Sequence, residues 1–397
     1  MGTGIGPVET RFFTFGSESD PFVCENGEEL PEVTLAYEVY GELNEDGDNA
    51  ILLFHALTGS HHAAGENRHY AGAEDRWTDE VHTGWWDEFI GSGRSLNTDK
   101  FAVICANWLG HCYGTTGPAS INPLTGKPYG PDFPSVSAGD TVRAHFRLLD
   151  HLGVSRLHAV VGGSVGGMMC LDVAVRYPDR VRFVIPIAAG LRATTLHVIH
   201  DFEQINAIYN DPDFNGGNYY DGPAPDAGLA LARMIGHKTF VSLDQMKKRA
   251  RGEVAESGDG DRVRLPIESY MWHQGQKFVK RFDANAYLRT MWAWQDFDLY
   301  AEAERRQVKL QELLAAGSHE YLVFSIDSDV CYYPSEQKEL AEELKAAGVD
   351  FNWITVHSEK GHDAFLLEPH LFEPHLRYHL ESDWDPSSTT RGRRRAR

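Results

Sequence analysis

Short apolar runs alternate with amphipathic stretches along most of this chain. Runs rich in β-branched and aromatic residues predict strands at 33–41, 50–57, 100–108, 156–164, 182–189, 320–328 and 351–358. Apolar residues recur at helical spacing at 139–152, 165–177, 335–347 and 368–380. Several strand runs are continuously apolar, which is typical of strands covered on both faces. The pattern predicts an α/β fold with a mostly parallel central sheet and helices on both faces.

The segment 191–314 breaks this alternation, because it has helical periodicity and almost no strand pattern. An all-helical insertion between two strands predicts a cap over the carboxyl edge of the sheet, where ligands bind in open α/β folds. Within it, 253–264 is predicted to be a polar loop. We therefore predict a core formed by 30–190 and 315–382, a helical cap at 191–314, and a basic, disordered tail at 383–397. Poor order is also expected for the first 30 or so residues.

The charge balance is strongly acidic, with 58 Asp and Glu against 37 Lys and Arg in 397 residues and a net charge of −21. Such a surface repels nucleic acid and anionic membranes, so neither is expected as a partner. Five cysteines without a CxxC pair argue against a disulfide framework or a zinc knuckle. The first residues lack the pattern of a signal peptide, and no apolar run is long enough to span a bilayer. These features predict a cytoplasmic protein.

The strongest local motif is Gly162-Gly163-Ser164-Val165-Gly166, a G-x-S-x-G between a predicted strand and a predicted helix. This context is typical of a nucleophile elbow, in which a serine hydroxyl stands free on a tight turn. Glycines on either side are needed because larger side chains would collide there. A phosphate loop would need Lys followed by Ser or Thr after the last glycine, and this chain has Met168 and Met169. We predict that Ser164 is a catalytic nucleophile.

A nucleophile elbow requires an acid and then a histidine later in the chain. The strand 320–328 leads into Asp327 and Asp329, and His362 follows the last predicted strand. We predict His362 as the general base and Asp329 as the acid that orients it, with Asp327 as the alternative acid. His357 is a less suitable base because it lies within the predicted strand.

Two main-chain N–H groups are predicted to form an oxyanion hole. One belongs to Val165, which begins the helix after the serine, and the other to Leu57, in the loop after an early strand. An ordinary strand-end turn is the alternative explanation for the Leu57 loop. No metal site is predicted, because neither His61, His62 and His69 nor His197 and His200 have a carboxylate at the spacing of a zinc motif.

Longer motifs identify a family. They are HALTGSHHAAG (55–65), GGSVGGM (162–168), GLALARMIGHKTF (228–240), QGQKFVKRFDANAYL (274–288) and GHDAFLLE (361–368). Through them the chain resembles the homoserine O-acetyltransferase family of the α/β-hydrolase superfamily, from about residue 35 to about residue 379. The resemblance implies an α/β-hydrolase fold with an inserted cap.

The family's activity is transfer of an acetyl group from acetyl-CoA to L-homoserine by a ping-pong acyl-serine mechanism, on the path to methionine. By resemblance, Ser164, Asp329 and His362 form the catalytic triad, Arg233 binds the substrate carboxylate, and Asp363 faces its ammonium group. The resemblance also implies a homodimer through the cap helices, and no cofactor other than acetyl-CoA as co-substrate. Alternatives are a succinyl donor, serine as acceptor, or an esterase on the same scaffold.

Two single residues and one segment depart from the family pattern. Phe240 stands where members usually have Tyr, and His111 stands where a small residue is usual. The segment SDVCYYPSEQ (328–337) is one residue longer than the common form, which is why Asp327 stays an alternative to Asp329.

Overall fold

A computed structural model describes residues 4–70, 73, 75–250 and 263–382. The strands are β1 (Arg11–Phe15), β2 (Phe22–Val23), β3 (Glu29–Leu30), β4 (Val33–Tyr40), β5 (Ala50–Phe54), β6 (Ile90–Gly91), β7 (Leu96–Asn97), β8 (Ala102–Ala106), β9 (Leu157–Gly163), β10 (Val181–Ile187), β11 (Glu320–Ile326) and β12 (Phe351–Val356). Among these residues the central element is an eight-stranded sheet in the order β1-β4-β8-β5-β9-β10-β11-β12. The last six strands in this order, β8, β5, β9, β10, β11 and β12, are parallel, whereas β4 runs antiparallel to β8, and β1 antiparallel to β4.

The predicted α/β architecture is confirmed, and each predicted strand overlaps an observed one. The prediction of poor order near the start of the chain is wrong for β1, which pairs with β4 along its whole length. Backbone pairing with a neighbouring strand, which a short polar-flanked run does not reveal, orders this segment. The run at 50–57 is shorter as a strand, because β5 ends at Phe54 and His55 to Leu57 belong to the following loop.

Helices flank the sheet on both faces, and the central strands explain why. In β9, Val160 packs in the apolar cluster that contains Leu171 of the helix after the elbow. The next residue, Val161, packs in the opposite cluster with Leu376 near the end of the chain. Successive strand side chains point to opposite faces, so a continuously apolar run requires cover on both.

The predicted flanking helices are also observed. The α-helices are α1 (Ala138–His151), α2 (Val165–Arg176), α3 (Thr195–Tyr209), α4 (Asp226–Phe240), α5 (Leu243–Ala250), α6 (Pro266–Val279), α7 (Ala284–Gln295), α8 (Leu299–Arg306), α9 (Leu310–Leu314), α10 (Pro334–Ala347), α11 (Ala364–Leu367) and α12 (Pro369–Glu381).

The described part of 191–314 is helical, with α3 to α9 lying between β10 and β11. Helices α3, α4, α6 and α7 pack on one another, whereas α9 packs on α10 and α2 beside the sheet. The last part of this segment is therefore attached to the core. The division into core and cap stays a prediction. The polar loop falls largely on 251–262 and the basic tail on 383–397, both outside the described residues.

Candidate active site

Ser164 lies on the turn between β9 and α2, as the elbow motif predicts. Its backbone has φ 60° and ψ −131°, a conformation that residues with a side chain rarely adopt. Its N–H donates a 2.9 Å hydrogen bond to the Ile187 oxygen at the end of β10. A Cβ at position 162 would lie 2.4 Å from the Gly166 oxygen, and one at 166 would lie 2.6 Å from the Phe54 oxygen. Both glycines are therefore required by close backbone contact, and the turn presents Ser164 at the carboxyl edge of the sheet.

The imidazole of His362 is held by Asp329. Its Nδ1 atom lies 2.7 Å from Oδ2 of Asp329, and both side chains are almost completely buried. The other carboxylate oxygen of Asp329 accepts hydrogen bonds from the N–H groups of Cys331 (2.8 Å) and Tyr332 (2.9 Å). These bonds fix the carboxylate in one orientation, and with it the imidazole ring.

The alternative acid makes a different pair. Asp327 lies 2.7 Å from Nδ1 of His357, in a pair where both side chains are well exposed. In the described structure, neither Asp327 nor His357 is hydrogen-bonded to His362 or Asp329. On geometry, Asp329 is the carboxylate that orients His362.

The pKa of His362 results from two opposing effects. Burial alone would lower it, but the charge and the hydrogen bond of Asp329 outweigh burial, and the net pKa is raised above the ordinary 6.5. The Nε2 atom is buried and has no hydrogen-bond partner among the described residues. Since Asp329 occupies Nδ1, Nε2 is the ring nitrogen left to exchange a proton.

A cavity of about 190 Å³ brings the predicted residues together. Ser164 and His362 share it with the substrate residues that the family resemblance implies, Arg233 and Asp363. The other lining residues are Ala56, Leu57, Thr58, Gly59, Trp85, Phe240, Arg281, Phe365 and Leu366. The cavity thus brings a serine hydroxyl, an imidazole, a guanidinium and a carboxyl group into one small volume.

One predicted oxyanion donor, Leu57, lines the same cavity as Ser164, and the other, Val165, follows Ser164 in the chain. Leu57 lines the cavity and lies in a tight turn that the hydrogen bond from Gly59 N to Ala56 O (2.9 Å) closes. Val165 is the first residue of α2, where N–H groups have no acceptor within the helix. The partial positive charge of a helix amino terminus adds to the field at this point.

Arg233 and Asp363 place a guanidinium and a carboxyl group in the cavity wall. The Arg233 guanidinium stacks near the rings of Phe278 (4.9 Å) and Phe240 (5.5 Å). Burial, and then the nearby Arg281, lower its pKa from 12.5, and an arginine remains a cation under such conditions. Burial raises the pKa of Asp363, while His362 and Arg233 act to lower it. Such a pair complements the carboxylate and ammonium groups of an α-amino acid.

Sequence reasoning missed two residues that shape this site. Arg281 lines the cavity, although only its surrounding motif was recognised in the sequence. Gln337 is fully buried and donates to the Tyr332 oxygen (2.6 Å), next to Asp329. The buried amide in α10 supports the loop that carries the acid. Nothing in the pattern of α10 distinguishes it from a surface glutamine.

Phe240 and His111, the two single residues that depart from the family pattern, are both located in the structure. Phe240 lines the cavity, and its ring centre is 6.4 Å from that of His362. His111 is buried behind the Leu57 turn, with its ring 4.8 Å from Phe282 and 5.2 Å from His55. Burial, and then the neighbouring His55, lower its pKa well below the usual value, so the ring is neutral.

Among the residues that the structure describes, no three His, Cys, Asp or Glu side chains converge as metal ligands would. His62, one of the clustered histidines, instead bonds the buried carboxylate of Glu38 at 2.8 Å. Within the same described ranges, no helix combines the length and apolarity needed to cross a membrane.

Comparison with known proteins gives the same fold and several close relatives. The sequence profile of the alpha/beta hydrolase fold matches residues 49–333. A homoserine O-acetyltransferase of Solidesulfovibrio magneticus is 43% identical over 370 residues, which cover 92% of this chain and 90% of the relative. A homoserine O-succinyltransferase of Halorhodospira halophila is 43% identical over 371 residues, 91% of this chain and 92% of the relative. The crystal structure of esterase E22 matches with a TM-score of 0.83 at 28% identity, covering 94% of this chain and 100% of that one.

Proposed function

Because the chain belongs to the alpha/beta hydrolase fold family and, within it, to the homoserine O-acetyltransferases, we propose that it transfers the acetyl group of acetyl-CoA to L-homoserine. The product is O-acetyl-L-homoserine, an intermediate on the path to methionine. The observation that carries the proposal is the shared cavity of Ser164, His362, Arg233 and Asp363. A hydrolase needs the first two residues, but a paired cation and acid beside them suit an amino-acid acceptor.

In the first half-reaction, Oγ of Ser164 attacks the thioester carbon while Nε2 of His362 takes the hydroxyl proton. The C–O bond to serine forms as the thioester oxygen becomes an oxyanion, which the N–H groups of Leu57 and Val165 stabilise. The oxyanion then collapses, the C–S bond breaks, and His362 returns its proton to the leaving sulfur. Free CoA and an acetyl-serine result.

In the second half-reaction, the homoserine hydroxyl loses its proton to His362 and its oxygen attacks the acetyl-serine carbon. The new ester forms, the bond to Oγ of Ser164 breaks, and His362 returns the proton to Oγ. Arg233 and Asp363 orient the acceptor through its carboxylate and ammonium groups. We propose no cofactor, since His362 supplies every proton transfer and acetyl-CoA supplies the acyl group.

Transfer instead of hydrolysis requires that water be kept from the acetyl-serine. Residues from the segment 191–314, called here the helical segment, form part of the cavity wall. They include Arg233 and Phe240 of α4 and Arg281 after α6. We propose that this wall excludes water until the acceptor binds. The homodimer through cap helices and the cytoplasmic location stay predictions.

The test measures free thiol released from acetyl-CoA by the purified protein, with and without L-homoserine. We expect one equivalent of thiol per site without acceptor and continuous release with it, and no release from Ser164→Ala. The same assay with succinyl-CoA and with L-serine decides the donor and the acceptor. Continuous release that ignores L-homoserine would refute the proposal.

The second candidate is an esterase, because of the likeness to esterase E22. It predicts rapid turnover of p-nitrophenyl acetate that added L-homoserine does not accelerate. An acyl transferase predicts slow turnover of this ester, limited by water attack, and acceleration by L-homoserine. The two outcomes exclude each other.

A further inference from the structure

The side chain of Arg281 connects the helical segment to the turn that carries Leu57. One guanidinium nitrogen, Nη1, donates to the main-chain oxygen of Thr58 (3.0 Å) and to the hydroxyl of Tyr113 (3.2 Å). The Tyr113 hydroxyl in turn donates to the main-chain oxygen of Arg281 (2.7 Å). The arginine is therefore fixed at its backbone and at its tip.

The surroundings of Arg281 reinforce this arrangement. Its guanidinium lies 5.2 Å from the centre of the Phe278 ring, and its side chain is only 14% exposed. The nearest oxygen of Glu80 is 3.9 Å from Nε, which is beyond hydrogen-bonding distance. The main-chain oxygen of Thr58 is thus a closer partner than this carboxylate.

Thr58 directly follows Leu57, and both are central residues of the turn closed by Gly59 N and Ala56 O. Arg233 approaches the same residue, with Nη1 3.5 Å from Oγ1 of Thr58. A hydrogen bond to a peptide group of the turn restricts the orientation of the turn. Arg281 makes such a bond to the Thr58 oxygen, two peptide groups after the one that contains the Leu57 N–H.

We propose that Arg281 is a positioning residue, which holds the Leu57–Thr58 turn so that the Leu57 N–H points at the oxyanion. This inference rests on the proposed acyl-serine mechanism, and concerns bond making at Ser164 with any acyl donor. The competing role is anion binding, in which the guanidinium would hold a carboxylate or a phosphate of a substrate. The two roles differ for a neutral ester, which has neither group.

The experiment compares Arg281→Met with Lys277→Met as a matched control. Lys277 lies on α6, ion-pairs with Glu80 and does not line the cavity. The burst rate of acylation by p-nitrophenyl acetate, thiol release from acetyl-CoA and the KM for L-homoserine are measured for each variant.

Positioning predicts that Arg281→Met slows acylation by both donors to a similar extent, roughly 10- to 100-fold, because small misplacement of a catalytic group has effects of this size. The KM for L-homoserine stays within about twofold, and Lys277→Met behaves like the parent protein. Arg281→Lys keeps one donor group and recovers part of the rate. Unchanged ester acylation with a raised KM for acetyl-CoA or L-homoserine would overturn the proposal in favour of anion binding, and no change in any quantity would also overturn it.

A thermal melt shows whether Arg281→Met folds. If it does not fold, Tyr113→Phe tests the same proposal. It removes one contact of the guanidinium, and we expect a roughly 2- to 10-fold slower ester acylation with an unchanged KM. An unchanged acylation rate in this variant would count against the proposal. Ester acylation needs no homoserine, so Arg281 can be tested even if the transfer to homoserine is not observed.

Discussion

The main-chain N–H of Asp363 donates a 2.9 Å hydrogen bond to the main-chain oxygen of Phe240, the last residue of α4. This bond joins the helical segment to the loop that carries His362. The Phe240 ring also lies beside the Arg233 guanidinium, 5.5 Å from its centre. A change at Phe240 therefore acts on the acceptor side of the cavity, where both proposed substrate-binding groups lie.

Phe240→Tyr should improve acceptor binding. The new hydroxyl would add one polar contact in the cavity, and a hydrogen bond of about 0.5–1.5 kcal/mol corresponds to a roughly 2- to 10-fold lower KM for L-homoserine. Steady-state kinetics with varied L-homoserine measure this KM. Phe202→Tyr makes the same change on the exposed surface of α3 and should leave the KM unaltered. A KM that stays the same or rises in Phe240→Tyr would mean that the hydroxyl does not face the acceptor.

Asp329→Asn should reduce kcat by roughly 10³- to 10⁴-fold, since the imidazole loses the carboxylate that orients it and stabilises its protonated form. Asp327→Asn is the matched control two residues earlier, and should change kcat by less than about twofold because its partner His357 is exposed. Single-turnover acylation by p-nitrophenyl acetate compares them directly. Comparable losses in the two variants would contradict the assignment of the acid.

The pH dependence should report the raised pKa of His362. The ring acts as a base only when neutral, so kcat/KM should rise with pH with a midpoint above 6.5. For stability, the raised pKa means that the protonated ring contributes below pH 6.5, and that this contribution is lost as pH rises through the folded value. In Asp329→Asn both effects of Asp329 are lost and only the smaller effect of the Asp363 charge opposes burial, so the midpoint should move downward. A wild-type midpoint below 6.5 in a pH profile of ester acylation would be inconsistent with this picture.

Ser164→Gly should be more stable than Ser164→Ala, although both abolish acyl transfer. At φ 60° and ψ −131° a residue with a Cβ is strained by about 1–3 kcal/mol, and glycine is not. Part of the gain is offset by the greater freedom of glycine in the unfolded chain, so we expect a difference of about 1 kcal/mol. Urea unfolding of the two variants measures this difference in the free energy of unfolding. Equal free energies of unfolding would indicate that the turn relaxes when the hydroxyl is removed.

Apolar periodicity and the G-x-S-x-G motif were enough to predict the sheet, the elbow and the helical insertion. These features are local, because apolar periodicity follows from which faces of a strand or helix are buried. Gly162 is equally local, since the backbone of its own turn excludes a Cβ, whereas Gly166 also answers to contact with Phe54 of β5. The chain order of serine, carboxylate and histidine could be read from the sequence, with Asp327 and Asp329 both open as the acid.

Three-dimensional packing was needed to identify the carboxylate that pairs with His362 and the groups that surround this pair. Asp327 and Asp329 both follow β11, and their histidine partners follow β12, 30 and 33 residues later in the chain. Arg281 and Thr58 are separated by 223 positions, and their contact depends on how the helical segment packs over the sheet. Such contacts arise from the three-dimensional path of the chain, and neither residue type nor spacing encodes them in a single sequence.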